Sequence, residues 1–181
     1  MSQTPDHHIL GQGRFLRLVR RNGWEFVERT KRVRSAFIGA VTDGGRLIAT
    51  EEYREPVSCS VVGCPAGLIG DGDAEGESLE AGVIRELEEE TGYRAERVTV
   101  LCEGPTSPGQ TDEVIAVVLA EDLTKVGPGG GLAGEKVAFH EIPLVEIDSW
   151  LQAKVQSGAL IDPKVYTVLY FLRQRCEATA S

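Results

Sequence analysis

The sequence predicts an α+β protein, and three observations lead to this prediction. Short runs rich in β-branched and aromatic residues, separated by turn residues, fill most of the chain between Arg14 and Asp122. Within that region, one stretch, residues 78–92, has the four-residue spacing of apolar side chains that is typical of an amphipathic helix. Two more helical patterns follow towards the C-terminus. The 181 residues, 41% of them hydrophobic, suffice for one domain with its own core.

The predicted strands are short apolar or alternating runs bounded by turn signals. In chain order they are RFLRLVRR, WEFVERTKRV, SAFIGAVT, RLIATEEYR, CSVVGC, RVTVLCE and EVIAVVLAEDL. Internal repeats are not evident in the sequence. The pattern therefore predicts a β-rich domain with few helices.

The first helix has recognisable start and stop signals. Ser78 is suited to the N-cap, Leu79, Val83 and Leu87 form an apolar stripe, and Gly92 can adopt the left-handed conformation that ends a helix. We expect a second helix over residues 145–156. A third begins with Asp162 as N-cap and Pro163 in the first turn.

The segment GPGGG, residues 127–131, is the one low-complexity piece of the chain. It lacks the GK[ST] continuation and the following helix of a phosphate-binding loop. The composition therefore predicts a flexible loop.

Charge and composition exclude several classes of partner. The formal net charge of −9 disfavours a general attraction to nucleic acid or to anionic lipid, so we expect neither nucleic acid nor membrane as a partner. The first residues lack the basic and then apolar order of a signal peptide, and no run of about 18 apolar residues follows. We therefore expect a cytoplasmic protein. Its four cysteines form no CxxC pair, which favours reduced, buried thiols over a zinc site.

Residues 71–90 concentrate the negative charge of the chain. They hold nine acidic residues and one basic residue, Arg85, which gives −8 of the total −9. On a helix, Glu86, Glu89 and Glu90 share a face, where like charges repel, while Glu88 points elsewhere. A solvated acidic face is the simplest interpretation, but such faces usually contain interleaved lysines. The pattern therefore favours a site for Mg²⁺, which prefers oxygen ligands.

The stretch DGDAEGE, residues 71–77, offers a weaker alternative. It imitates the start of an EF-hand calcium loop, with acids at positions 1, 3 and 5 and glycine at position 6. Position 12 is Gly82 rather than glutamate, and the sequence predicts no helix before the loop. Calcium binding by this stretch is thus the less favoured hypothesis.

Residues 85–93, RELEEETGY, resemble the REUxEExGU half of the Nudix box, in which U is a bulky apolar or aromatic residue. Glu77 stands eight residues before Arg85, as the first glutamate of the box does. CPAGLIG is similar to the PAG start of the family and places the leading glycine, Gly67, ten residues before Glu77 instead of six. Four extra residues thus lie between about Gly70 and Glu75. We expect this insertion to alter the rim of the pocket and to spare the carboxylate face.

The chain further resembles the ADP-ribose pyrophosphatase branch of that family. EEYREPV at 51–57 is similar to EQYRxPV, SPGQTDE at 107–113 is similar to SPGxTDE, and GALIDPKVYTVLYFL resembles the C-terminal helix of the branch. Two positions depart from it: Gly63 stands where a glutamate usually precedes PAG, and Gln110 where an aromatic residue is common. The resemblance implies the Nudix α/β/α sandwich, an α+β fold with a mixed β-sheet and an N-terminal β-rich extension.

The resemblance also implies the chemistry, which is attack of water on phosphorus in a nucleoside diphosphate linked to a group X. The metal ligands that it implies are the carbonyl of Ala66 with Glu86 and Glu90, holding Mg²⁺ with Mn²⁺ as an alternative. Glu89 is the adjacent ligand or base. Glu135 matches a late metal-binding glutamate of the branch, although an ordinary loop glutamate is its simpler interpretation. The general base stays open between Glu135 and Glu89.

The same resemblance implies the substrate contacts. Trp24 resembles a tryptophan that stacks on adenine, often across a dimer, and the alternative is a core tryptophan. Arg54 is a candidate clamp for phosphate, because a guanidinium can bind it through two hydrogen bonds. The remaining predicted contacts form a turn with a nearby acid: Ser107, Pro108, Gly109 and Glu113. We expect Arg85 to orient the site by pairing with Glu77, and His140 to be structural.

Together these features predict a Mg²⁺-dependent Nudix pyrophosphatase that hydrolyses ADP-ribose or a related nucleoside diphosphate sugar to a nucleoside monophosphate and a sugar phosphate. Residues 1–34 are expected to form a β-rich portion for dimerisation and substrate binding, and residues 35–181 the Nudix domain of a homodimer. The alternatives are another nucleoside diphosphate substrate, such as GDP-mannose or a dinucleotide, and a Nudix-shaped module that binds a ligand without turnover.

Overall fold

A computed structural model describes residues 6–71, 76–131 and 136–179. Within these ranges, the chain forms eleven strands and three α-helices, and it is the predicted α+β protein. The strands are β1 (His7–Gln12), β2 (Leu16–Arg21), β3 (Trp24–Arg29), β4 (Arg34–Val41), β5 (Arg46–Arg54), β6 (Cys59–Gly63), β7 (Ala66–Ile69), β8 (Tyr93–Pro105), β9 (Val114–Lys125), β10 (Ala138–Pro143) and β11 (Leu160–Ile161). The helices are α1 (Leu79–Thr91), α2 (Ile147–Gln156) and α3 (Pro163–Thr179).

The strands form two sheets. The antiparallel sheet β1-β2-β3 comes from the N-terminal portion, and a mixed sheet has the order β11-β6-β5-β4-β9-β8, with β10 beside β5 and β7 beside β4. In the mixed sheet β4 pairs with β9 and β11 with β6 in parallel, whereas the other pairs are antiparallel. The β1 sequence HHILGQ carries no strand pattern, so its pairing with β2 is what defines it as a strand.

Both faces of the mixed sheet are buried, which gives the predicted α/β/α sandwich. Ile38 on β4 belongs to a core shared with Val83 and Leu87 of α1. Its neighbour Phe37 belongs to the opposite core, which includes Val165 of α3. Successive strand residues point to opposite faces, so a strand covered by helices on both sides reads as a continuous apolar run, as SAFIGAV does.

Helix α1 has the predicted caps and the predicted buried stripe. The Ser78 hydroxyl accepts a backbone N–H from the first turn at 3.1 Å, and Gly92 ends the helix with a φ of 69°. Val83 and Leu87 are fully buried. Strand β7 lies shortly before α1 in the chain, in place of the helix that an EF-hand requires, so residues 71–77 do not begin an EF-hand. Four of the DGDAEGE residues, 72–75, lie outside the described residues.

The other two helices also form where the sequence predicts, although α2 begins at Ile147 and not at residue 145. Asp162 caps α3 by accepting the backbone N–H of Lys164 at 2.9 Å, and Pro163 is its first residue. Helix α2 covers most of the predicted residues 145–156. In the described part of the chain, no helix combines the length and the apolar character needed to cross a membrane.

The glycine-rich segment 127–131 is attached to the C-terminal end of α1, contrary to the expectation of a flexible loop. The backbone N–H groups of Gly130 and Gly131 donate to the carbonyls of Glu90 and Glu89 at 2.8 and 3.0 Å. A side chain at Gly129 would lie 2.4 Å from backbone of α1, so only glycine allows this approach. The loop thus completes hydrogen bonds that the end of a helix leaves unmade.

Candidate active site

A cavity of about 640 Å³ lies between α1, the mixed sheet and the N-terminus of α3. Most of the predicted site residues that the structure describes line it. They are Arg54, Ala66, Arg85, Glu86, Glu89, Glu90 and Glu113. The predicted residue Glu135 lies outside the described residues, as does the insertion at residues 72–75. Folding therefore brings together predicted residues from β5, β7, α1 and the segment before β9, and the first and last of them, Arg54 and Glu113, are 59 positions apart in sequence.

Glu86, Glu89 and Glu90 of α1 form one wall of the cavity, called the acidic wall below. Arg85 contacts two of these side chains and also Glu77. Its Nε and Nη2 donate to the two carboxylate oxygens of Glu77 at 3.0 and 3.1 Å, which confirms the predicted pairing. Its Nη1 donates to Glu86 Oε1 at 3.0 Å and to Glu89 Oε2 at 3.1 Å, and Nη2 also reaches the Leu68 carbonyl. The hydrogen bonds from Arg85, outweighing the opposite effect of burial, hold the pKa of Glu77 below its usual range.

Strand β7 lies against the acidic face of α1. The Ala66 N–H donates to Glu90 Oε2 at 3.3 Å, so the backbone that is predicted to bind metal is already in contact with a predicted ligand. A methyl group at Gly67 would lie 1.9 Å from the Cδ of Glu86. The glycine therefore leaves the space that the Glu86 carboxylate occupies.

Arg85 partly balances the negative charge of the carboxylates on α1, and these carboxylates are not gathered around one point. Among the residues that the structure describes, no group of three or more His, Cys, Asp or Glu side chains is arranged to enclose a metal ion. Glu86 and Glu89 instead share one nitrogen of Arg85.

The other cations that line the described part of the cavity each have a carboxylate partner too. Arg29 Nη2 donates to Glu113 at 3.1 Å, and Lys164 Nζ lies 2.7 Å from Asp162. Arg54 pairs with Glu52 on its own strand. Away from the acidic wall, the cavity thus offers paired donors and acceptors with little net charge.

Several cavity residues are not among the site residues predicted from the sequence, namely Arg29, Glu52, Asp71 and Lys164. Arg29 pairs with Glu113, which is 84 positions away in sequence, so no local pattern reveals the contact. Lys164 had a usable signal, because it follows the Asp162-Pro163 start of a helix. A helix that begins directly after a strand places its first turn at the edge of the sheet.

The other predicted substrate contacts do not line the cavity. Trp24 is 66% exposed, so it is not a core residue in this chain, and it does not line the cavity. The turn at Ser107, Pro108 and Gly109 is also absent from the lining. It packs beside the N-terminal sheet, where the Val27 N–H donates to the Gln110 carbonyl at 2.8 Å.

His140 and the cysteines fit structural roles. His140 contacts Glu51 at 3.0 Å and packs against the Trp150 ring, away from the cavity lining. All four cysteines are free; Cys64 is buried, and burial raises the pKa of its thiol, whereas Cys176 is exposed. The expectation of buried thiols therefore fails at Cys176.

Comparison with known proteins identifies the fold and the family. A solved structure described as an ADP compounds hydrolase superposes with a TM-score of 0.73 over 98% of this chain and 96% of that chain, at 22% identity, which shows a common fold. The chain is 35% identical over 134 residues to the ADP-ribose pyrophosphatase of Bacillus subtilis (strain 168), covering 74% of this chain and 69% of the relative. It is 32% identical over 130 residues to the GDP-mannose pyrophosphatase of Cronobacter sakazakii (strain ATCC BAA-894), covering 71% and 63%.

The NUDIX domain itself matches residues 31–162, which include α1, β7 and nearly all of the cavity lining. The acidic wall around Arg85 is thus part of the matched region. The chain belongs to the Nudix family.

Proposed function

We propose that this protein hydrolyses the diphosphate bond of ADP-ribose or of a related nucleoside diphosphate sugar, giving a nucleoside monophosphate and a sugar phosphate. The observation that carries the proposal is the cavity itself, in which the acidic face of α1 stands opposite paired polar groups. The relatives named as pyrophosphatases of ADP-ribose and of GDP-mannose support the same substrate class.

Mg²⁺ is the proposed cofactor, and the donor set fits it. The oxygens of Glu86, Glu89 and Glu90 with the carbonyl of Ala66 would hold the ion, with Mn²⁺ as an alternative. When bound, such an ion neutralises diphosphate charge, polarises the P–O bond and lowers the pKa of a coordinated water. One guanidinium, Arg85, faces three carboxylates, Glu77, Glu86 and Glu89, so the negative charge that it leaves uncompensated supports the fit to a divalent cation.

The side chains divide the remaining work. Glu89 or Glu135 takes the proton from the attacking water, and Arg54 binds an anionic group of the substrate. Glu77 holds Arg85 through two hydrogen bonds, so that its remaining nitrogen keeps Glu86 and Glu89 in place when no cation is present. Glu113 orients Arg29 towards the cavity.

Residues 1–34 are proposed to form the dimerisation and substrate-binding portion of a cytoplasmic homodimer. The N-terminal sheet and its connections expose six large apolar residues: Ile9, Leu10, Phe15, Leu16, Leu18 and Trp24. Exposed apolar side chains in this number favour association. Trp24 does not line the cavity of its own chain, so stacking on a substrate base requires the cavity of a second chain.

The test is a panel of ADP-ribose, ADP-glucose, GDP-mannose and a dinucleoside diphosphate, with Mg²⁺ and a coupled phosphatase that releases phosphate only from the products. We expect ADP-ribose to be among the best substrates. Glu90→Gln should lower kcat by orders of magnitude, because the charge is lost from the acidic wall. The matched control is Glu88→Gln on the same helix, whose side chain is 42% exposed and pairs with Arg94.

The results separate the alternatives. Preference for GDP-mannose or the dinucleotide would replace the proposed substrate and keep the reaction. Binding of ADP-ribose without product release from any compound would favour a non-catalytic module. Equal activity of Glu90→Gln and Glu88→Gln would contradict the metal assignment.

A further inference from the structure

Two neighbouring strands form the floor of the cavity. Thr50 and Glu52 of β5, with Val61 and Gly63 of β6, point to the same face and line it. The antiparallel register places Thr50 opposite Gly63 and Glu52 opposite Val61. The floor therefore has two cross-strand pairs. In one of them, Thr50 faces Gly63, and glycine has no side chain.

Neither backbone conformation nor packing requires glycine at position 63. Its φ is not in the left-handed region, and a methyl group there would lie 3.6 Å from the Phe37 ring and 3.7 Å from Thr50 Oγ1, which are ordinary contact distances. By contrast, Gly67 and Gly129 have no room for a methyl group. Glycine within a strand weakens it and often marks a place that a ligand approaches closely.

The position of Gly63 limits what can approach it. It precedes Ala66 by three residues, so the two residues lie at most about 10 Å apart. A diphosphate held at the wall of Ala66 and Glu90 would therefore place the ring joined directly to it over this part of the floor. Asp162 and Lys164, which also line the cavity, provide a carboxylate and an ammonium group that suit the hydroxyls of a sugar.

We propose that Gly63 is a specificity-determining residue, and that its missing side chain makes room for a sugar ring joined directly to the diphosphate. The proposal rests on the proposed function, because it takes a nucleoside diphosphate sugar as the substrate. Such a substrate has two sugar rings joined directly to the diphosphate, the ribose of the nucleoside and the sugar of group X. Substrates that lack one ring or the other distinguish them.

The test compares Gly63→Ala with the unaltered protein and with Gly104→Ala. Gly104 lies within a strand, has no φ in the left-handed region and has nothing within 4 Å of an added methyl group, and it does not line the cavity. Three substrates are used: ADP-ribose, the methyl ester of ADP, which lacks the sugar of X, and the methyl diphosphate of ribose, which lacks adenosine.

We expect Gly63→Ala to lower kcat/KM for ADP-ribose about tenfold or more, mainly through KM, as a misplaced methyl group in a pocket does. The melting temperature should not fall, and Gly104→Ala should retain full activity. One of the two truncated substrates lacks the ring that lies over Gly63, and Gly63→Ala should leave its kcat/KM unchanged. The substrate that behaves in this way shows which of the two rings lies there. An effect within twofold on ADP-ribose, or equal losses on both truncated substrates, would overturn the proposal.

Failure of the proposed function gives a different result. If the unaltered protein releases no product from any nucleoside diphosphate sugar, binding of ADP-ribose in the presence of Mg²⁺ is measured by calorimetry. Binding that Gly63→Ala weakens about tenfold would still support the sugar subsite. Binding that the substitution leaves unchanged, or no binding at all, would overturn it.

Discussion

Replacing Gly67 by alanine should disable the site while leaving the fold intact. A methyl group at this position would lie 1.9 Å from Glu86 Cδ and 2.3 Å from both carboxylate oxygens. Since nonbonded carbon atoms approach to about 3.5 Å, the carboxyl carbon must move by roughly 1.6 Å or more. The fold should tolerate this, because the obstructing atoms are the end of a side chain that can rotate.

The displacement is large compared with what the proposed chemistry allows. Ligand oxygens of Mg²⁺ lie within a narrow range of about 2.0–2.1 Å, and misplacement of a catalytic group by about 1 Å can cost 10²-fold in rate. We therefore expect Gly67→Ala to lower kcat/KM by about 10²-fold and to raise the Mg²⁺ concentration that gives half-maximal rate. The assay is release of nucleoside monophosphate as a function of Mg²⁺, with the melting temperature measured in parallel.

A double variant separates displacement of Glu86 from general damage. Glu86→Asp withdraws the carboxylate towards α1, so it should cost much less in the Gly67→Ala protein than in the unaltered one. Such non-additivity is the signature of two groups in contact. Activity of Gly67→Ala within twofold of the unaltered protein, or full additivity of the two changes, would refute the reasoning.

Three further predictions concern Glu77, Trp24 and Glu135. The lowered pKa of Glu77 means that its pairing with Arg85 stabilises the fold above the ordinary glutamate pKa, about 4.3, and that the contribution disappears as pH falls through the lowered value. Glu77→Gln should therefore reduce stability by about 1.5–3 kcal/mol at neutral pH and by less near the acid limit, as measured by denaturant unfolding; a pH-independent difference would contradict the pairing. Trp24→Ala should leave the melting temperature unchanged, because the side chain is 66% exposed, and should raise KM about tenfold or more through loss of stacking worth about 1–3 kcal/mol; unfolding of the variant would restore a structural role. Glu135→Gln should depress kcat with little change in KM, and recovery at high pH would indicate a base, whereas recovery at high Mg²⁺ would indicate a ligand. Activity within twofold would exclude both roles and assign the base to Glu89.

Local signals predicted α1 and α3 because the determinants of each lie within a few residues of its ends. Ser78, Gly92 and Asp162 make the expected cap contacts, and none of these contacts depends on the rest of the fold. The Arg85–Glu77 pair was also predictable, because its partners are eight positions apart and the residues between them form one helix start. The part of the Nudix box that the structure describes around α1 thus has a geometry that its own sequence predicts.

Contacts between distant segments were not predictable from patterns of this kind. The pairing of Arg29 with Glu113 depends on the docking of β3 beside the turn that precedes β9. Trp24 has the large apolar side chain that is typical of a core residue, and only the three-dimensional arrangement shows that its ring is exposed. Residues 127–131 look unstructured because glycine is weakly restrained locally, yet the same absence of side chains permits their close contact with α1.

The acidic end of α1 shows why such a contact is needed. Glu88, Glu89 and Glu90 lie near the C-terminal end of the helix, where the helix dipole disfavours negative charge, and the last turn contains no basic residue. Compensation comes from outside the helix: Lys125 Nζ donates to the Thr91 carbonyl at 2.7 Å while packing against the Tyr93 and Phe139 rings. Backbone N–H groups of the glycine-rich loop reach the carbonyls of the same turn. A carboxylate wall that local sequence would destabilise is therefore held by a lysine and a loop from 34 to 42 residues further along the chain.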